Sequence, residues 1–547
     1  MRLYSVFSSF RYYFLIQIFH LLMKKYFILL VLFSLFCSAL NAQVLNLIPY
    51  PKQVSVEQGS LKLKKNTWFY NSNPAYKQAI SFLNSQLGST GNNRQAVQIT
   101  LDRTIGPSGS YRLGTGGKQI RISGSDGAGV FNGIVTLVQL IRSGSTDKQT
   151  DSLPVVRITD EPRYEWRGFM LDESRHFFGK QTVKDLLNWM AFYKLNRFHW
   201  HLTDAQGWRI EIKKYPLLTK VGGIGNFTDS TAQAKYYTQE DIKEIVAYAK
   251  QRHIEVIPEI DMPGHATAAN KAYPEYSGGK VPGFDDFTFN PGKEATYQFI
   301  ADVLKELKPL FPAGKIHIGG DEVFMGIKAW DNNADVQALM VHKGYSDKQQ
   351  AEAYFLRRVA DSVKALNYKV MCWDEAVAAN LPAENVIVNW WRQNKPESLS
   401  QALNNGYSVI LSPRLPMYFD FVQDSTHRSG RKWEGRFNGY LDVYNFPEND
   451  LAGEVYTNKN VIGVQANLWT ETVVTTKRLQ YLLFPRLAAL AEAGWTAADA
   501  KNDQAFSGRL KRHLKYYEKA KLYYYDPFSP MEHPEVIDVT SKAAVKD

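Results

Sequence analysis

A chain of 547 residues is too long for one hydrophobic core and predicts at least two domains, one of them large. Its composition, 44% apolar and 22% charged, is ordinary for a globular protein. It is rich in Trp and Tyr, which suits a sugar-binding enzyme and, equally, a large hydrophobic core. The net charge of +11 is not gathered in a dense Lys/Arg run, which argues against a nucleic-acid-binding surface.

Residues 1–42 have the layout of a secretory signal peptide. From Met23 the chain reads MKKYFILLVLFSLFCSALNAQ, in which two lysines precede an apolar run and then small residues. We expect cleavage after Ala42 or Ala39, with Met23 as the true start; a retained membrane anchor is the alternative. The mature protein would be periplasmic or extracellular, with no stable membrane insertion. Its net charge would fall from +11 to +7, because four basic residues and no acids are removed.

Residues 43–160 are predicted to form a smaller, non-catalytic α+β domain. Short alternating strands such as VQITLD and QIRISG are separated by Gly/Ser turns, and an apolar stretch over residues 130–141 predicts a helix. This segment contains no grouping of acids or histidines. We therefore expect it to pack against the larger domain.

Residues 161–500 show strands alternating with helices, which is typical of parallel βαβ units. Helical stretches such as 181–194 and 239–252 separate eight predicted strands, at 166–172, 196–203, 254–260, 315–320, 368–373, 385–391, 407–412 and 462–469. Eight units predict a (β/α)8 TIM barrel as the catalytic domain. A doubly wound open sheet is the alternative, but no glycine-rich phosphate loop follows the first strand. Residues 501–547 are predicted to be a helical appendage.

The active site of a TIM barrel gathers at the C-terminal ends of the strands. Acids, bases and indoles end or follow the predicted strands in turn: Asp172, Arg175, Asp204, Asp261, His265, Asp321, Glu322, Trp373, Trp391, Tyr418, Asp420, Trp469 and Glu471. A single acid at a strand end is usually a helix cap. A set drawn from so many strands predicts one shared site.

Carboxylates and tryptophans without a cofactor loop point to sugar chemistry. Indole faces stack on pyranose rings, and carboxylates and arginines bind hydroxyl groups. Glycoside hydrolysis usually needs two carboxylates, and the best pair here is adjacent, Asp321–Glu322 in IHIGGDEV. Neighbouring side chains of a regular strand point to opposite faces. We therefore expect Gly319–Gly320 to permit a kink that turns both acids toward the mouth.

These residues resemble a known family, the family 20 glycoside hydrolases or β-N-acetylhexosaminidases. The resemblance covers nearly the whole mature chain and rests on HIGGDEV (317–323), RGFMLDESRHF (167–177), HWHLTDAQGWR (199–209), PEIDMPGH (258–265), LWTET (468–472) and IPYPKQV (48–54). It implies an exo-acting hydrolase that removes terminal β-linked N-acetylglucosamine or N-acetylgalactosamine from glycans. It also implies a retaining mechanism, in which the substrate's 2-acetamido group forms an oxazolinium intermediate, with no cofactor and no metal.

The resemblance also assigns roles. Asp321 would stay ionised, hold the acetamido N–H and stabilise the oxazolinium, while Tyr418 would bind the acetamido carbonyl. Glu322 would be the general acid and then the base; like charge and burial are expected to raise its pKa and to leave that of Asp321 low. The implied substrate-binding residues are Arg175, Asp420 and Glu471 for the sugar hydroxyls, Trp373, Trp391 and Trp469 for the acetamido pocket, and Asp204 with His265 for polarising Glu322.

One departure from the family pattern concerns the outer pocket. A further tryptophan is expected near residues 433–438, where the chain reads RKWEGRFNG, so Trp433 or Phe437 would have to fill that place. For His317 and Asp261 we expect structural roles. A homodimer, the choice of terminal sugar, and the linkage and natural glycan are left open.

Two other classes of function compete with this interpretation. A metal-dependent TIM-barrel hydrolase could use His199, His201, Asp261 and His265 as ligands, but its usual His-x-His ends strand 1, whereas HWH here lies inside strand 2. A non-catalytic glycan-binding protein would keep the tryptophans but could lose Asp321, Glu322 or Tyr418. All three are present.

Overall fold

The computed structural model describes residues 23–25, 45–117, 119–144, 150–432 and 435–536. The predicted signal peptide lies outside these residues, apart from 23–25, and so do Trp433 and the end of the predicted appendage, residues 537–547. In the part of the chain that is described, no helix is both long and apolar enough to span a bilayer.

The N-terminal unit is an α+β domain built on one six-stranded sheet. Its strands are paired in the order β1-β6-β4-β5-β3-β2. They are β1 (Gln53–Lys64), β2 (Trp68–Tyr70), β3 (Arg94–Leu101), β4 (Tyr111–Gly116), β5 (Gln119–Gly124) and β6 (Thr150–Asp160). Two helices, Lys77–Leu87 and Gly127–Gly144, accompany the sheet, and the second contains the predicted helix over 130–141. Its apolar side chains are buried because the helix packs against β4, β5 and β6.

The larger unit is a closed eight-stranded parallel barrel, which confirms the predicted TIM-barrel fold. Each predicted strand overlaps one strand of the barrel. They are β7 (Trp166–Asp172), β8 (Arg197–His201), β11 (Glu255–Glu259), β12 (Lys315–His317), β13 (Lys369–Trp373), β14 (Val386–Trp390), β15 (Ser408–Leu411) and β16 (Val461–Leu468). The barrel closes where β16 pairs with β7.

Two strands end two or more residues before their predicted C-terminal ends, where the site lies. The strand expected over 315–320 ends at His317, because the glycine pair that follows turns the backbone out of the extended conformation. The strand expected over 196–203 ends at His201 and is followed by a short hairpin, β9 (Thr203–Asp204) and β10 (Gly207–Trp208). The hairpin carries Asp204 above the barrel.

The α-helices of the barrel and its loops surround these strands. They are Lys180–Phe192, Leu217–Lys220, Gln239–Lys250, Thr267–Ala272, Glu294–Leu307, Ala334–Lys343, Lys348–Ala365, Pro396–Asn404, Arg414–Met417, Tyr440–Asn445, Gly453–Tyr456, Thr476–Leu483 and Arg486–Trp495. The predicted helices over 181–194 and 239–252 correspond to the first and third of these. The helix Asp503–Lys519 follows the barrel and buries Phe506 and Leu510 against it.

A buried carboxylate, that of Asp160, links the two units. It accepts hydrogen bonds from Trp495 Nε1 of the barrel at 2.9 Å and from Tyr111 of the small sheet at 2.7 Å, and it lies 3.3 Å from Lys194 Nζ. A buried charge is tolerated when it is paired and hydrogen-bonded in this way. The N-terminal domain is therefore anchored to the barrel.

Candidate active site

The backbone after β12 turns sharply and carries the adjacent acids into the barrel mouth. Gly319 and Gly320 have φ values of +69° and +92°, and Glu322 itself has a φ of +50°. A Cβ on Gly319 would lie 1.7 Å from Asp261 Oδ1, so no side chain fits there. A left-handed glutamate costs about 1–3 kcal/mol and is typical of functional sites. This is the kink expected from the glycine pair.

His265 lies against both acids. Its Nε2 is 3.7 Å from Asp321 Oδ2 and 3.5 Å from Glu322 Oε2, which shows that both carboxylates lie on the same side of the mouth. The Nδ1 atom of the same ring lies 3.0 Å from Asp204 Oδ1. Arg175 Nη1 approaches the other oxygen of Asp204 at 2.8 Å. The predicted supporting pair, Asp204 and His265, is thus next to Glu322.

The pKa values of the two acids are displaced in opposite directions. Burial, helped by the negative charges of Glu259 and Glu322 and opposed by the positive charge of His265, raises the pKa of Asp321 to about 6. Burial also acts to raise the pKa of Glu322, but the hydrogen bond and charge of His265 and the charge of Arg175 lower it below its usual range. This order is the reverse of the one expected from the sequence. The reason is that Glu322 receives the hydrogen bond and charge of His265 and the charge of Arg175, whereas Asp321 is buried among other carboxylates.

Aromatic side chains form one buried cluster beside the acids. The ring of Trp391 stacks on Tyr418, with 6.3 Å between centroids and 17° between planes, and Trp373 lies 5.9 Å from Trp469. The whole cluster comprises Met170, Trp373, Trp391, Leu415, Tyr418, Phe421 and Trp469. These residues come from five different strands of the barrel or the loops that follow them. Because they pack together in one cluster, the predicted aromatic wall is one continuous surface.

The opposite end of the site is charged. Glu471 lies 3.2 Å from Arg431 Nη2 and 4.0 Å from Arg175 Nη2, and the Arg175 guanidinium lies over the Trp469 ring at 5.0 Å. Asp420 is 1% exposed, and neither of its carboxylate oxygens has a hydrogen-bond partner among the described residues. Burial raises the pKa of Asp420 to about 7 against the charge of Arg431. Buried acceptors that are short of hydrogen-bond donors suit the hydroxyl groups of a sugar.

The eleven residues to which the family resemblance assigns a role therefore surround one barrel mouth.

Two further sequence predictions concern Asp261 and the outer aromatic of the pocket. Asp261 is buried beside His265 and Asp321, and burial with the charge of Asp321 raises its pKa well above the usual range. Phe437 is 39% exposed and contacts Lys432, while Trp433 lies outside the described residues. The outer aromatic of the pocket stays a prediction.

Three polar residues at the site were missed by the sequence analysis. Arg431 bridges Asp420 and Glu471, Glu375 accepts the indole N–H of Trp391 at 2.9 Å, and Glu259 accepts that of Trp373 at 2.8 Å. Glu375 could have been found, because it follows a predicted strand end directly. Glu259 lies inside a strand and Arg431 lies in a long loop, so neither position has such a signal.

Several of these side chains are arranged so that they could also hold a metal ion. Among the described residues, the possible donor sets are His199–Glu259–His317, His201–Glu259–Asp261, Asp204–Asp261–His265 and His265–Asp321–Glu322. Most members of these sets are also ion-pair partners of one another, as His265 is of Asp204 and Glu322. The competing metal-dependent function therefore needs an experimental test.

A parallel barrel whose mouth is lined by acids, arginines and an indole wall defines a carbohydrate-active hydrolase. Comparison with known proteins agrees. The model of "Glycosyl hydrolase family 20, catalytic domain" matches residues 164–498, and that of "Glycosyl hydrolase family 20, domain 2" matches residues 44–161. The chain therefore belongs to glycosyl hydrolase family 20, the family of the β-N-acetylhexosaminidases, and is a glycosidase.

Curated relatives and solved structures are similar over most of the chain. The β-hexosaminidase of Vibrio furnissii is 33% identical over 83% of this chain and 77% of its own length. The β-hexosaminidase of Porphyromonas gingivalis is 34% identical over 85% of this chain, which spans only 62% of that relative. The exo β-N-acetylglucosaminidase of Vibrio harveyi, solved in complex with N-acetylglucosamine, aligns with a TM-score of 0.80 at 31% identity, over 89% of this chain and 79% of that one.

Proposed function

We propose that the protein is an exported, exo-acting β-N-acetylhexosaminidase that uses the 2-acetamido group of its substrate as the nucleophile. The observation that carries this proposal is the contact of both Asp321 and Glu322 with one nitrogen of His265. Ordinary retaining glycosidases place an acid and a nucleophile on either side of the scissile bond, about 5–5.5 Å apart. Two adjacent acids on one side are better suited to two different tasks on the same face of the substrate.

Asp321 and Tyr418 are the groups that would orient the acetamido group. The aromatic cluster formed by Trp373, Trp391 and Trp469 with Tyr418 is a closed apolar wall, which suits the acetamido methyl group. Asp321 would accept the N–H, and the phenol of Tyr418 would donate to the carbonyl oxygen from the other side. The carbonyl oxygen is then aimed at the anomeric carbon, and the negative charge of Asp321 stabilises the oxazolinium that forms.

Glu322 would protonate the glycosidic oxygen and later take a proton from the attacking water. In the structure Asp321 has the higher pKa of the two acids. A bound acetamido N–H would donate to the ionised form of Asp321 and so lower its pKa. A neutral sugar that displaces water from around Glu322 would raise the pKa of that acid. Substrate binding would therefore reverse the order and give each acid the protonation state that its role needs.

The charged end of the site accounts for exo action. Arg175, Asp420, Arg431 and Glu471 close the pocket beyond the indole wall, and a carboxylate or guanidinium can bind two hydroxyls of a terminal sugar. A chain that continued past the sugar in this direction would meet these side chains. The proposed substrate is thus the terminal β-linked N-acetylglucosamine or N-acetylgalactosamine of a glycan, and the enzyme would meet it outside the cytoplasm.

Proton NMR of the reaction tests the proposed stereochemistry. Aryl β-N-acetylglucosaminide and aryl β-N-acetylgalactosaminide are each mixed with the enzyme, and the anomeric signals are followed from the first minute. We expect the β anomer of the free sugar to appear first and the α anomer only later by mutarotation, which is recorded separately on the pure sugar. Initial release of the α anomer would contradict the oxazolinium mechanism.

Chelation separates this function from that of a metallohydrolase. Because the proposed roles are filled by side chains and by the substrate itself, we expect EDTA to leave kcat and KM unchanged. The measurement is turnover of an aryl β-N-acetylglucosaminide before and after dialysis against EDTA, with a known zinc hydrolase treated in parallel. A large loss that zinc restores would favour the donor sets of buried histidines and acids instead.

A further inference from the structure

Glu259 is a fully buried carboxylate beneath the site, in strand β11. Four nitrogen atoms surround it. Its Oε2 lies 2.5 Å from His201 Nδ1 and 2.9 Å from His199 Nε2, and its Oε1 lies 2.9 Å from His317 Nδ1 and 2.8 Å from Trp373 Nε1. The register of the barrel produces this contact set, because Glu259 is paired with His201 of β8 on one side and His317 of β12 on the other.

A continuous chain of contacts leads from Glu259 to the proposed acid. His201 Nε2 lies 2.9 Å from Asp204 Oδ2, and Asp204 Oδ1 lies 3.0 Å from His265 Nδ1. His265 Nε2 lies 3.5 Å from Glu322 Oε2. Each imidazole in the chain has a carboxylate at both of its nitrogens, and His265 Nε2 lies near Asp321 as well as Glu322. Their orientations are thereby fixed from both ends.

The charges along this chain alternate in sign. Burial acts to lower the pKa of His201, but the charges and hydrogen bonds of Glu259 and Asp204 raise it well above its usual range. Burial likewise acts to lower the pKa of His265, but the carboxylates of Asp204, Asp261 and Asp321 raise it well above its usual range. Burial acts to raise the pKa of Glu259, yet the three surrounding histidines hold it well below its usual range. A buried charge without such partners would be strongly destabilising.

We propose that Glu259 is a positioning residue for both halves of the reaction. Through His201, Asp204 and His265 it holds Glu322 for proton transfer, and through the indole N–H it holds Trp373 in the wall of the acetamido pocket. The inference rests on the proposed function, since it needs Glu322 to be the general acid. It adds an anchor in the neighbouring strand β11, where Glu259 is fully buried.

His201 and His199 offer a matched comparison. Both rings are fully buried and both contact Glu259 Oε2. Only His201 continues to Asp204. His199 does not lead on to another carboxylate. The amide Nε2 of Gln465 donates to its Nδ1 at 3.1 Å, so the ring proton lies on Nε2, facing Glu259. A purely structural role of the cluster would make the two histidines equivalent.

The first experiment measures kcat for His201→Gln and His199→Gln across aryl β-N-acetylglucosaminides with leaving groups of rising pKa. A misplacement of about 1 Å costs about 10²-fold in rate. We expect His201→Gln to lose about 10–10²-fold with poor leaving groups and progressively less with good ones, since good leaving groups need little protonation. His199→Gln should keep the wild-type dependence. Equal slopes for the two variants would overturn the proposal.

A double-mutant cycle tests the chain directly. Glu259→Gln, Asp204→Asn and the double variant are compared, with Glu492→Gln as a control for removal of a buried, ion-paired glutamate elsewhere. If Glu259 acts on proton transfer through Asp204, the double variant should depend on leaving-group pKa no more steeply than Asp204→Asn alone, and any further loss through Trp373 should be the same for every leaving group. A steeper dependence in the double variant would show that Glu259 does not act through Asp204. If thermal melting shows that Glu259→Gln is not folded, the comparison of His201→Gln with His199→Gln tests the proposal instead.

A separate variant, Glu322→Gln, shows whether the proposed function itself fails. Glu322→Gln is measured on the same substrates. If its loss does not depend on the leaving group, the assignment of Glu322 as the acid is wrong, whatever the variants of the chain show. If Glu322→Gln shows the dependence and His201→Gln does not, the mechanism stands and the role of Glu259 is refuted.

Discussion

Replacement of the 2-acetamido group by a hydroxyl should reduce kcat/KM by about 10⁵-fold or more, because well-oriented intramolecular nucleophiles have effective molarities of about 10⁵–10⁸ M. In the proposed mechanism this group is held by Asp321, Tyr418 and the indole wall. A sugar without it loses its nucleophile and the contacts that orient it. Tighter binding elsewhere cannot supply a bond to the anomeric carbon.

The measurement compares aryl β-N-acetylglucosaminide with aryl β-glucoside carrying the same aglycone. An N-trifluoroacetyl substrate serves as a control for size, since it keeps the shape of the group but has a less nucleophilic carbonyl oxygen. Its rate should lie between the other two. Comparable rates on the glucoside and the N-acetylglucosaminide would rule out substrate-assisted catalysis and leave the barrel fold untouched.

The barrel could be predicted because its signal is local and repeated. Strands such as Lys369–Trp373 are short apolar runs between amphipathic helices, and their periodicity needs no knowledge of neighbours. The site followed from the barrel, since residues at the C-terminal ends of parallel strands must meet. Asp204 and Glu471 could be placed in one site on this argument although they are far apart in the chain.

The partners of these residues could not be predicted in the same way. Glu259 is one of five residues of a buried strand, and its sequence context does not show that the register sets it opposite His201 and His317. The pKa order of Asp321 and Glu322 likewise depends on packed contacts, since His265 and Arg175 act on Glu322 while burial among other carboxylates acts on Asp321. Sequence patterns locate strand ends, whereas contacts at this scale depend on the packed structure.

Glu322→Gln and Asp321→Asn should slow the enzyme in different ways. Glu322→Gln removes the proton donor, and general acid catalysis is typically worth about 10²–10⁴-fold. That loss should shrink for aryl leaving groups of low pKa, because a nitrophenolate departs with little protonation. Asp321→Asn removes the charge that stabilises the oxazolinium and misorients the acetamido group. Its loss should persist whatever the leaving group.

The two slopes of log kcat against leaving-group pKa distinguish the roles, provided that formation of the intermediate limits the rate. Glu322→Gln should give the steep slope and Asp321→Asn the shallow one. The pKa order of the two acids in the structure makes the comparison sharper, because on that order alone Glu322 would be the better base and Asp321 the better proton donor. If Asp321→Asn gives the steeper slope, the substrate does not reverse that order, and the assignment of acid and stabilising carboxylate must be exchanged.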